Sequence, residues 1–271
     1  MDLSQIKLIA TDMDGTLLNS KGEVSTQFFE LFEVLKSLGI IFVAASGRQY
    51  FSIVEKLSPI KDHIYVIAEN GALTMKNDKQ LQIKTLDSTV YKELIEVGMS
   101  LDNSQVIFCG RQKGYIENYG TDFVNFFSEF YSRYEIVDDL SDSKNDQCLK
   151  IAICNQFGAE EHVYPVFKRF EKDLKVKVSG DVWLDISHPM ADKGTALEAI
   201  QNTYNISADE TMVFGDYNND LEMLGKATYS FAMANAHRNV KAAANFSTKS
   251  NDSFGVESIL EKMIAIKKRY Q

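Results

Sequence analysis

The chain has 271 residues, of which 45% are hydrophobic and 25% charged, and its formal net charge is -9. These proportions are typical of a globular protein rather than a disordered one, and the length is enough for one large α/β domain or two smaller ones. The negative charge repels phosphate backbones, so nucleic acid is not an expected partner. No apolar stretch approaches the roughly 20 residues that cross a bilayer, which argues against a membrane protein.

The first residues lack the basic flank and the long apolar run of a secretory signal. The three cysteines, Cys109, Cys148 and Cys154, are odd in number and have no metal-binding spacing, so we expect reduced thiols. These features predict a cytoplasmic protein. No sequence feature indicates an obligatory protein partner.

The first third of the chain alternates short apolar runs with amphipathic stretches, the pattern of βαβ units in a parallel sheet. A turn formed by Glu69, Asn70 and Gly71 follows the third predicted strand. The predicted elements are a strand at 8–11, a helix from the N-cap Ser25 to a stop at Gly39, a strand at 40–45, a helix at 49–57 and a strand at 65–68.

From about residue 83 the sequence indicates an inserted α+β unit, after which the parallel pattern resumes. The fold class is therefore predicted as α/β, a doubly wound parallel-sheet core with an insertion. The insertion is expected to contain a hairpin of strands at 105–109 and 115–119, an aromatic-rich helix at 122–134, a strand at 149–154, a helix at 160–172 and strands at 176–178 and 182–186. The resumed core is expected to contain a helix at 193–204, a strand at 211–214, a helix at 219–224, a strand at 229–233 and a helix at 256–267.

Polar residues follow the predicted strands of the core. Asp12 and Asp14 come directly after the first strand, Ser46 and Gly47 follow the second, and Asp216 follows the strand at 211–214. Each group alone is equally well explained as a turn or a helix cap. Ligands of open parallel sheets bind outside the carboxyl ends of the strands. The recurrence of polar residues at several of these ends, on one rim of the sheet, therefore favours a functional site.

Lys193 begins a predicted helix, where a positive charge opposes the helix dipole unless an anion lies near. A phosphate dianion beside Asp12, Asp14 and Asp216 meets repulsion of about 4 kcal/mol per charge pair at a separation of ~4 Å. Mg²⁺, which prefers oxygen ligands, offsets this repulsion, and Lys193 adds a second positive charge. Asp220 is expected to orient Lys193 or a metal-bound water.

These residues fit phosphoryl transfer from a monoester. Asp12 is predicted to attack phosphorus as a carboxylate nucleophile. Asp14 is predicted to give a proton to the leaving oxygen and later to take one from water. The transferring oxygens are expected to be held by Ser46, the Gly47 amide and Asn219.

The order of these motifs resembles that of the haloacid dehalogenase-like (HAD) phosphatases, and specifically their Cof-type branch, subfamily IIB, which carries a large cap between the second and third motifs. The resemblance covers nearly the whole chain. The four motifs are matched by residues 12–16, by Ser46 with Gly47, by Lys193 and by residues 215–220, and secondary signatures by residues 69–72 and 233–236.

The resemblance implies a Rossmann-like core domain of residues 1–83 and 190–271, and an α/β cap domain of residues 84–189 that closes over the site. It implies Mg²⁺ held by Asp12, the backbone carbonyl of Asp14 and Asp216. Phosphate contacts are implied for Ser46, Gly47, Lys193 and Asn219. Many relatives carry Thr where Ser46 stands, which keeps the hydroxyl.

Other functions stay open at this point. A phosphotransferase or phosphomutase uses the same aspartyl phosphate, and a non-catalytic regulator can keep the same fold. A calcium-binding loop over residues 12–23 is disfavoured, because Leu17 stands where such a loop needs Gly.

The expected substrate is a small phosphorylated metabolite, with sugar phosphates considered first and pyridoxal phosphate and flavin mononucleotide also possible. Aromatic residues of the cap suggest a planar ligand, but their spacing is more typical of a helix packed in a core. They include Tyr115, Phe123, Phe126, Phe127, Phe130 and Tyr131.

Overall fold

The computed structural model describes residues 2–142 and 146–270, which form two β-sheets, one of eight strands and one of six. The strands are β1 (Leu8–Asp12), β2 (Ile41–Ala45), β3 (Tyr65–Ala68), β4 (Leu73–Lys76), β5 (Lys79–Ile83), β6 (Ser104–Gly110), β7 (Gly114–Ile116), β8 (Tyr134–Ile136), β9 (Cys148–Asn155), β10 (Lys175–Gly180), β11 (Trp183–Ser187), β12 (Thr211–Gly215), β13 (Tyr229–Ala232) and β14 (Phe246–Ser247).

The larger sheet has the order β14-β13-β12-β1-β2-β3-β4-β5, and it is parallel from β14 to β3. The smaller sheet has the order β10-β11-β9-β6-β7-β8, and it is antiparallel except for the pair β7 and β8. The larger sheet thus combines both ends of the chain, while the smaller one comes from the middle. This arrangement confirms the predicted α/β class and supports the division into core and cap domains, whose boundaries stay a prediction.

The α-helices are α1 (Thr26–Ser37), α2 (Tyr50–Lys56), α3 (Ser88–Met99), α4 (Thr121–Ser128), α5 (Ala159–His162), α6 (Tyr164–Phe167), α7 (Lys193–Tyr204), α8 (Leu221–Leu224), α9 (Arg238–Ala243) and α10 (Gly255–Tyr270). Within residues 2–142 and 146–270, every helix is too short or too polar to cross a membrane.

The core sheet is covered by helices, and β1 at its centre is buried along its whole length. Ser25 caps α1 as predicted, because its hydroxyl oxygen accepts the Phe28 amide at 3.0 Å. The same hydroxyl donates to Glu257 of α10 at 2.6 Å. The first and last helices of the core are therefore joined at one end.

The predicted aromatic helix at 122–134 is wrong in its second half, because α4 ends at Ser128 and β8 begins at Tyr134. Side chains of α2 and its N-cap bind the backbone between them. Ser52 Oγ donates to the carbonyl of Phe130 at 2.7 Å, and Gln49 Nε2 donates to that of Arg133 at 2.9 Å. Contacts with the core thus replace the helical hydrogen bonds of this segment.

The segment predicted as one helix at 160–172 is helical but not continuous, since the structure divides it into α5, α6 and a short 3₁₀ helix at Lys168–Lys172. Pro165 in the first turn of α6 has no amide hydrogen and cannot continue a helix from α5. The predicted strand at 115–119 ends early at Ile116, because the Tyr119 amide donates to the Glu117 carbonyl at 3.0 Å in a tight turn.

The hairpin of β4 and β5 extends the parallel sheet and was not predicted. Its turn contains Asn77 and Asp78, which both have positive φ angles, 50° and 58°. Such pairs of left-handed residues form the tight turns of two-residue hairpins. The Asn-Asp pair is the sequence signal for this hairpin.

Candidate active site

The carboxyl ends of β1, β2 and β12 bring the sequence-predicted residues together. β1 lies between β12 and β2, with Asp12 level with Ala45 and Thr11 level with Phe214. Ser46 therefore follows on one side of Asp12, and Asp216 on the other. These side chains line one cavity of about 400 Å³ together with Asp14, Gly47 and Asn219.

The turn after β1 is shaped by Gly15, whose φ angle is +72°. A Cβ atom at this position would lie 2.3 Å from Oδ2 of Asp216, so a larger residue would displace that carboxylate. Thr16 donates to the other oxygen of Asp216 at 3.1 Å. The glycine and threonine of the first motif therefore position Asp216 of the fourth.

Lys193 is fully buried and forms ion pairs with two carboxylates. Its Nζ lies 2.6 Å from Asp12 Oδ1 and 2.7 Å from Asp220 Oδ1. These pairs explain a lysine at the start of α7, where the helix dipole alone disfavours it. They raise the pKa of Lys193 although burial opposes this, so the side chain stays charged. Asp220 contacts Lys193 directly, and its role in orienting this lysine or a metal-bound water stays a prediction.

Three carboxylates, those of Asp12, Asp216 and Asp220, each present an oxygen within 4.8 Å of the others. Burial raises the pKa of Asp12 to about 7 against the opposing charge of Lys193, and repulsion by Asp220 adds to the rise. Burial also raises the pKa of Asp216 to about 9, and repulsion by Asp12 and Asp220 adds to it. One lysine is therefore too little positive charge for this cluster.

The cluster fits a hard divalent cation, because its donors are all carboxylate oxygens. Asp220 is the least available of the three. Its Oδ1 accepts Lys193, and its Oδ2 accepts the amides of Asp216 and Tyr217 at 2.9 and 3.1 Å. Asp12 and Asp216 are therefore better placed as metal ligands than Asp220.

Arg48 directly follows the Ser46-Gly47 pair, and its side chain contacts Asp14. Its Nε lies 2.7 Å from Asp14 Oδ2 and its Nη2 lies 2.6 Å from Oδ1. Nη1 donates to the carbonyl of Glu129, and the guanidinium carbon lies 4.6 Å from the centre of the Phe130 ring. Arg48 thus connects Asp14 with the segment between α4 and β8.

Lys150 of β9 was missed by the sequence analysis. Its Nζ lies 3.0 Å from Glu69 Oε2, 3.0 Å from Asp185 Oδ2 and 2.8 Å from the carbonyl oxygen of Gly47. Burial raises the pKa of Glu69, which the charge of Lys150 opposes. A lysine inside the otherwise apolar run Leu149–Cys154 is the signal that indicates a buried ion pair.

Asn219, which is predicted to contact phosphate, is joined through Asn70 to the network of Lys150. Asn219 Nδ2 donates to Asn70 Oδ1 at 2.9 Å, and Asn70 Nδ2 donates to Asp185 Oδ2 at 2.5 Å. Gly71, next along the chain, has a φ angle of +93°, and a Cβ there would lie 2.3 Å from the carbonyl oxygen of Asp192. The turn at 69–71 therefore packs against the start of α7.

The smaller sheet and its helices form the opposite wall of the cavity. Phe126, Phe130, Tyr131 and Trp183 are among its lining residues. Phe123 and Phe127 are buried in the hydrophobic core of this unit instead. The interpretation as core residues is therefore right for Tyr115, Phe123 and Phe127, which are buried and do not line the cavity, and incomplete for Phe126, Phe130 and Tyr131, which do.

Comparison with known proteins identifies the family. The family model for haloacid dehalogenase-like hydrolases matches residues 9–260. The chain is 31% identical over 262 residues to 5-amino-6-(5-phospho-D-ribitylamino)uracil phosphatase YbjI of Escherichia coli (strain K12), covering 96% of each chain.

Solved structures agree. The crystal structure of SMU.1108c from Streptococcus mutans UA159 is 31% identical, with a TM-score of 0.88 over 96% of this chain and 99% of that one. The HAD subclass IIB sugar phosphatase BT4131 shares the fold at 22% identity, with a TM-score of 0.83 over 96% and 99% of the two chains. The chain therefore belongs to the haloacid dehalogenase-like hydrolases, as a phosphatase with the fold of the Cof-type, or IIB, branch.

Proposed function

We propose that this chain is a Mg²⁺-dependent phosphatase that hydrolyses a small phosphorylated metabolite through an aspartyl phosphate on Asp12. The observation that carries the proposal is the convergence of Asp12, Asp14, Ser46, Asp216 and Asn219 on one cavity. Two neighbouring carboxylates with hydroxyl and amide groups supply a nucleophile, a proton donor and contacts for phosphate oxygens.

In the first step a carboxylate oxygen of Asp12 attacks phosphorus, and the bond from phosphorus to the leaving oxygen breaks. Lys193 supplies a positive charge beside Asp12 and orients its carboxylate through a hydrogen bond to Oδ1. Asp14 gives its proton to the leaving oxygen, so the product leaves as an alcohol. Arg48 binds both oxygens of Asp14 and orients this carboxyl group, and each oxygen keeps a second lone pair for the transferred proton.

In the second step water attacks phosphorus, Asp14 takes the proton of the water, and the bond between phosphorus and Asp12 breaks. Inorganic phosphate leaves, and Asp12 returns to its starting form. Ser46, the Gly47 amide, Lys193 and Asn219 are proposed to hold the phosphate oxygens during both steps. Asp220 keeps Lys193 in place for this role.

Asp12, Asp216 and the backbone carbonyl of Asp14 are proposed to hold Mg²⁺. When bound, the ion neutralises the carboxylates and the phosphate that meet here. The raised pKa values of Asp12 and Asp216, about 7 and about 9, support a cation at this position.

The substrate class is less narrowly defined than the reaction. One similar protein acts on 5-amino-6-(5-phospho-D-ribitylamino)uracil by its name, and a protein with the same fold is a sugar phosphatase. Both substrates are phosphate monoesters of polyhydroxylated compounds, and the first also carries a planar ring. Either class is compatible with a cavity of about 400 Å³.

The test is phosphate release from a panel of such monoesters, with Mg²⁺, with chelator, and with Asp12→Asn. We expect release to require the metal and Asp12→Asn to lower kcat roughly a thousandfold or more while its circular dichroism stays that of the wild type. Asp62→Asn, at an exposed carboxylate outside the cavity, is the matched control. Steady-state turnover by Asp12→Asn would exclude Asp12 as the nucleophile, and transfer to an added alcohol in place of free phosphate would indicate a phosphotransferase.

A further inference from the structure

The cavity that contains Asp12 and Asp14 has an aromatic wall on the side of the smaller sheet. Phe126 and Phe130 come from α4 and the segment after it, and Trp183 begins β11. All three rings are only partly buried and line the cavity. They pack against the core of this unit on one side and leave apolar surface toward the reacting carboxylates on the other.

The three rings form a single cluster. Phe126 and Trp183 are stacked with an interplanar angle of 10° and 5.7 Å between ring centres. Phe130 meets both of them edge to face, at 5.3 Å from Phe126 and 5.4 Å from Trp183. Because the rings already contact one another, a ligand ring cannot enter between them and has to lie on their free faces.

Exposed aromatic surface inside an active-site cavity is unfavourable in water and is compensated when an apolar ligand covers it. The hydroxyl groups of a sugar prefer hydrogen-bonding partners, and among these three rings only the indole N–H of Trp183 is a donor. A flat ring has two faces that stack on Phe, Tyr or Trp. The wall therefore suits a planar leaving group better than an aldose.

A polar group stands at the edge of the same wall. Asp181 lines the cavity, and its carboxylate accepts a hydrogen bond from the Tyr217 hydroxyl at 3.2 Å. Burial and the charge of Asp181 raise the pKa of Tyr217 to about 12, so this hydroxyl keeps its proton. Asp181 is exposed and can accept a further hydrogen bond, for instance from a ring N–H.

From this arrangement we infer that Phe126, Phe130 and Trp183 form a leaving-group subsite that binds a planar, nitrogen-containing ring attached to the phosphate through a short chain. The phosphate lies at Asp12, and the ring lies against the aromatic wall with its polar edge toward Asp181. This inference rests on the proposed phosphatase activity and names the substrate class for it. Trp183, Phe126 and Phe130 determine specificity and do not touch the reacting atoms.

The experiment compares substrates that differ in the ring. Flavin mononucleotide carries a planar ring on a phosphorylated ribityl chain, and ribitol 5-phosphate is the same chain without the ring. Pyridoxal 5-phosphate provides a smaller ring. We expect kcat/KM for at least one ringed substrate to exceed that for ribitol 5-phosphate by roughly tenfold to a hundredfold, the usual effect of stacking one ring on an aromatic side chain.

Trp183→Leu tests the residue itself, because leucine keeps an apolar side chain and removes the ring face. We expect it to reduce the preference for the ringed substrate about tenfold, mainly through KM. Phe126→Leu serves the same purpose if Trp183→Leu does not fold. Phe157→Leu, an exposed aromatic residue of the same unit that does not line this cavity, is expected to keep the wild-type preference.

Two outcomes separate this inference from the proposed function. In the first outcome, phosphate is released from ribitol 5-phosphate at least as efficiently as from both ringed substrates, and Trp183→Leu does not change that ratio. This result overturns the planar-ring subsite and leaves the phosphatase activity intact. No metal-dependent release from any of the three substrates or from the wider panel contradicts the proposed function itself.

Discussion

Lys150 Nζ lies 2.8 Å from the carbonyl oxygen of Gly47, so a strand of the smaller sheet binds the loop that follows β2 of the larger one. The same nitrogen forms ion pairs with Glu69 and Asp185, which are almost completely buried. A buried lysine with two carboxylates and a carbonyl is a structural centre that both sheets share.

Replacing Lys150 by Met is expected to lower the free energy of unfolding by about 3–5 kcal/mol, because Glu69 and Asp185 then stay buried without a counter-charge. Urea denaturation followed by circular dichroism measures the change. Lys113→Met is the control, since its pair with Glu135 is exposed and is worth about 1 kcal/mol or less. Equal stabilities of the two variants would show that the buried network contributes nothing.

Arg48→Lys is expected to lower kcat by about tenfold to a hundredfold, because lysine cannot make the two parallel hydrogen bonds that orient Asp14. Steady-state phosphate release measures the effect. Arg133→Lys changes another arginine of the same region, whose guanidinium carbon lies 3.6 Å from the centre of the Phe51 ring and whose side chain does not line the cavity. A kcat of Arg48→Lys equal to that of Arg133→Lys would remove Arg48 from the positioning of Asp14.

Gly71→Ala is expected to lower the free energy of unfolding by about 1–3 kcal/mol more than Gly120→Ala does. Both glycines have positive φ angles, +93° and +87°, so both alanine variants carry backbone strain. Only at Gly71 would the Cβ meet the backbone of Asp192, at 2.3 Å, while nothing lies within 4 Å at Gly120. The difference between their urea unfolding free energies isolates the close approach of the 69–71 turn to α7, and a difference of zero would contradict it.

The metal-free protein is expected to lose stability as the pH rises from about 4 to 9. The pKa of Asp216 is raised from 3.8 to about 9 and that of Asp12 from 3.8 to about 7, so folding favours their protonated forms. Their stabilising contribution is complete below the unfolded pKa and disappears as the pH passes the folded value. Asp216→Asn is therefore expected to flatten this dependence.

The measurement is urea unfolding in the presence of chelator at several pH values, with Asp62→Asn as the control that keeps the wild-type slope. Because the proposed Mg²⁺ site requires ionised carboxylates, the stabilising effect of Mg²⁺ on the wild type is expected to grow with pH. A stability that rises between pH 5 and 9 in the wild type but not in Asp216→Asn would contradict the direction of these shifts.

The sequence was sufficient to place Asp12, Ser46 and Asp216 on one rim of the larger sheet, because each of them follows a short apolar strand. Parallel strands with these features leave their carboxyl ends on one rim whatever else the chain does. An anionic partner for Lys193 could also be predicted, because a lysine at the start of a helix opposes the helix dipole. The structure supplies two such partners, Asp12 and Asp220.

The smaller sheet was less predictable, because tertiary contacts override its local patterns. The aromatic spacing of 122–134 indicates a helix throughout, and only the hydrogen bonds from Ser52 and Gln49 to the backbone explain its end at Ser128. Lys150, Glu69 and Asp185 are distant in sequence, so their contact follows from how the two sheets meet. Pro165 was visible in the sequence and should have divided the predicted helix at 160–172.

The walls of the cavity come from both sheets, and the contacts of Arg48 with Glu129, of Ser52 with Phe130 and of Lys150 with Gly47 hold them together. We expect substrate entry and product release to require these contacts to break and to form again in every catalytic cycle. We expect this opening, rather than bond cleavage, to limit turnover of good substrates, so that kcat falls with increasing solvent viscosity and depends little on the basicity of the leaving alcohol.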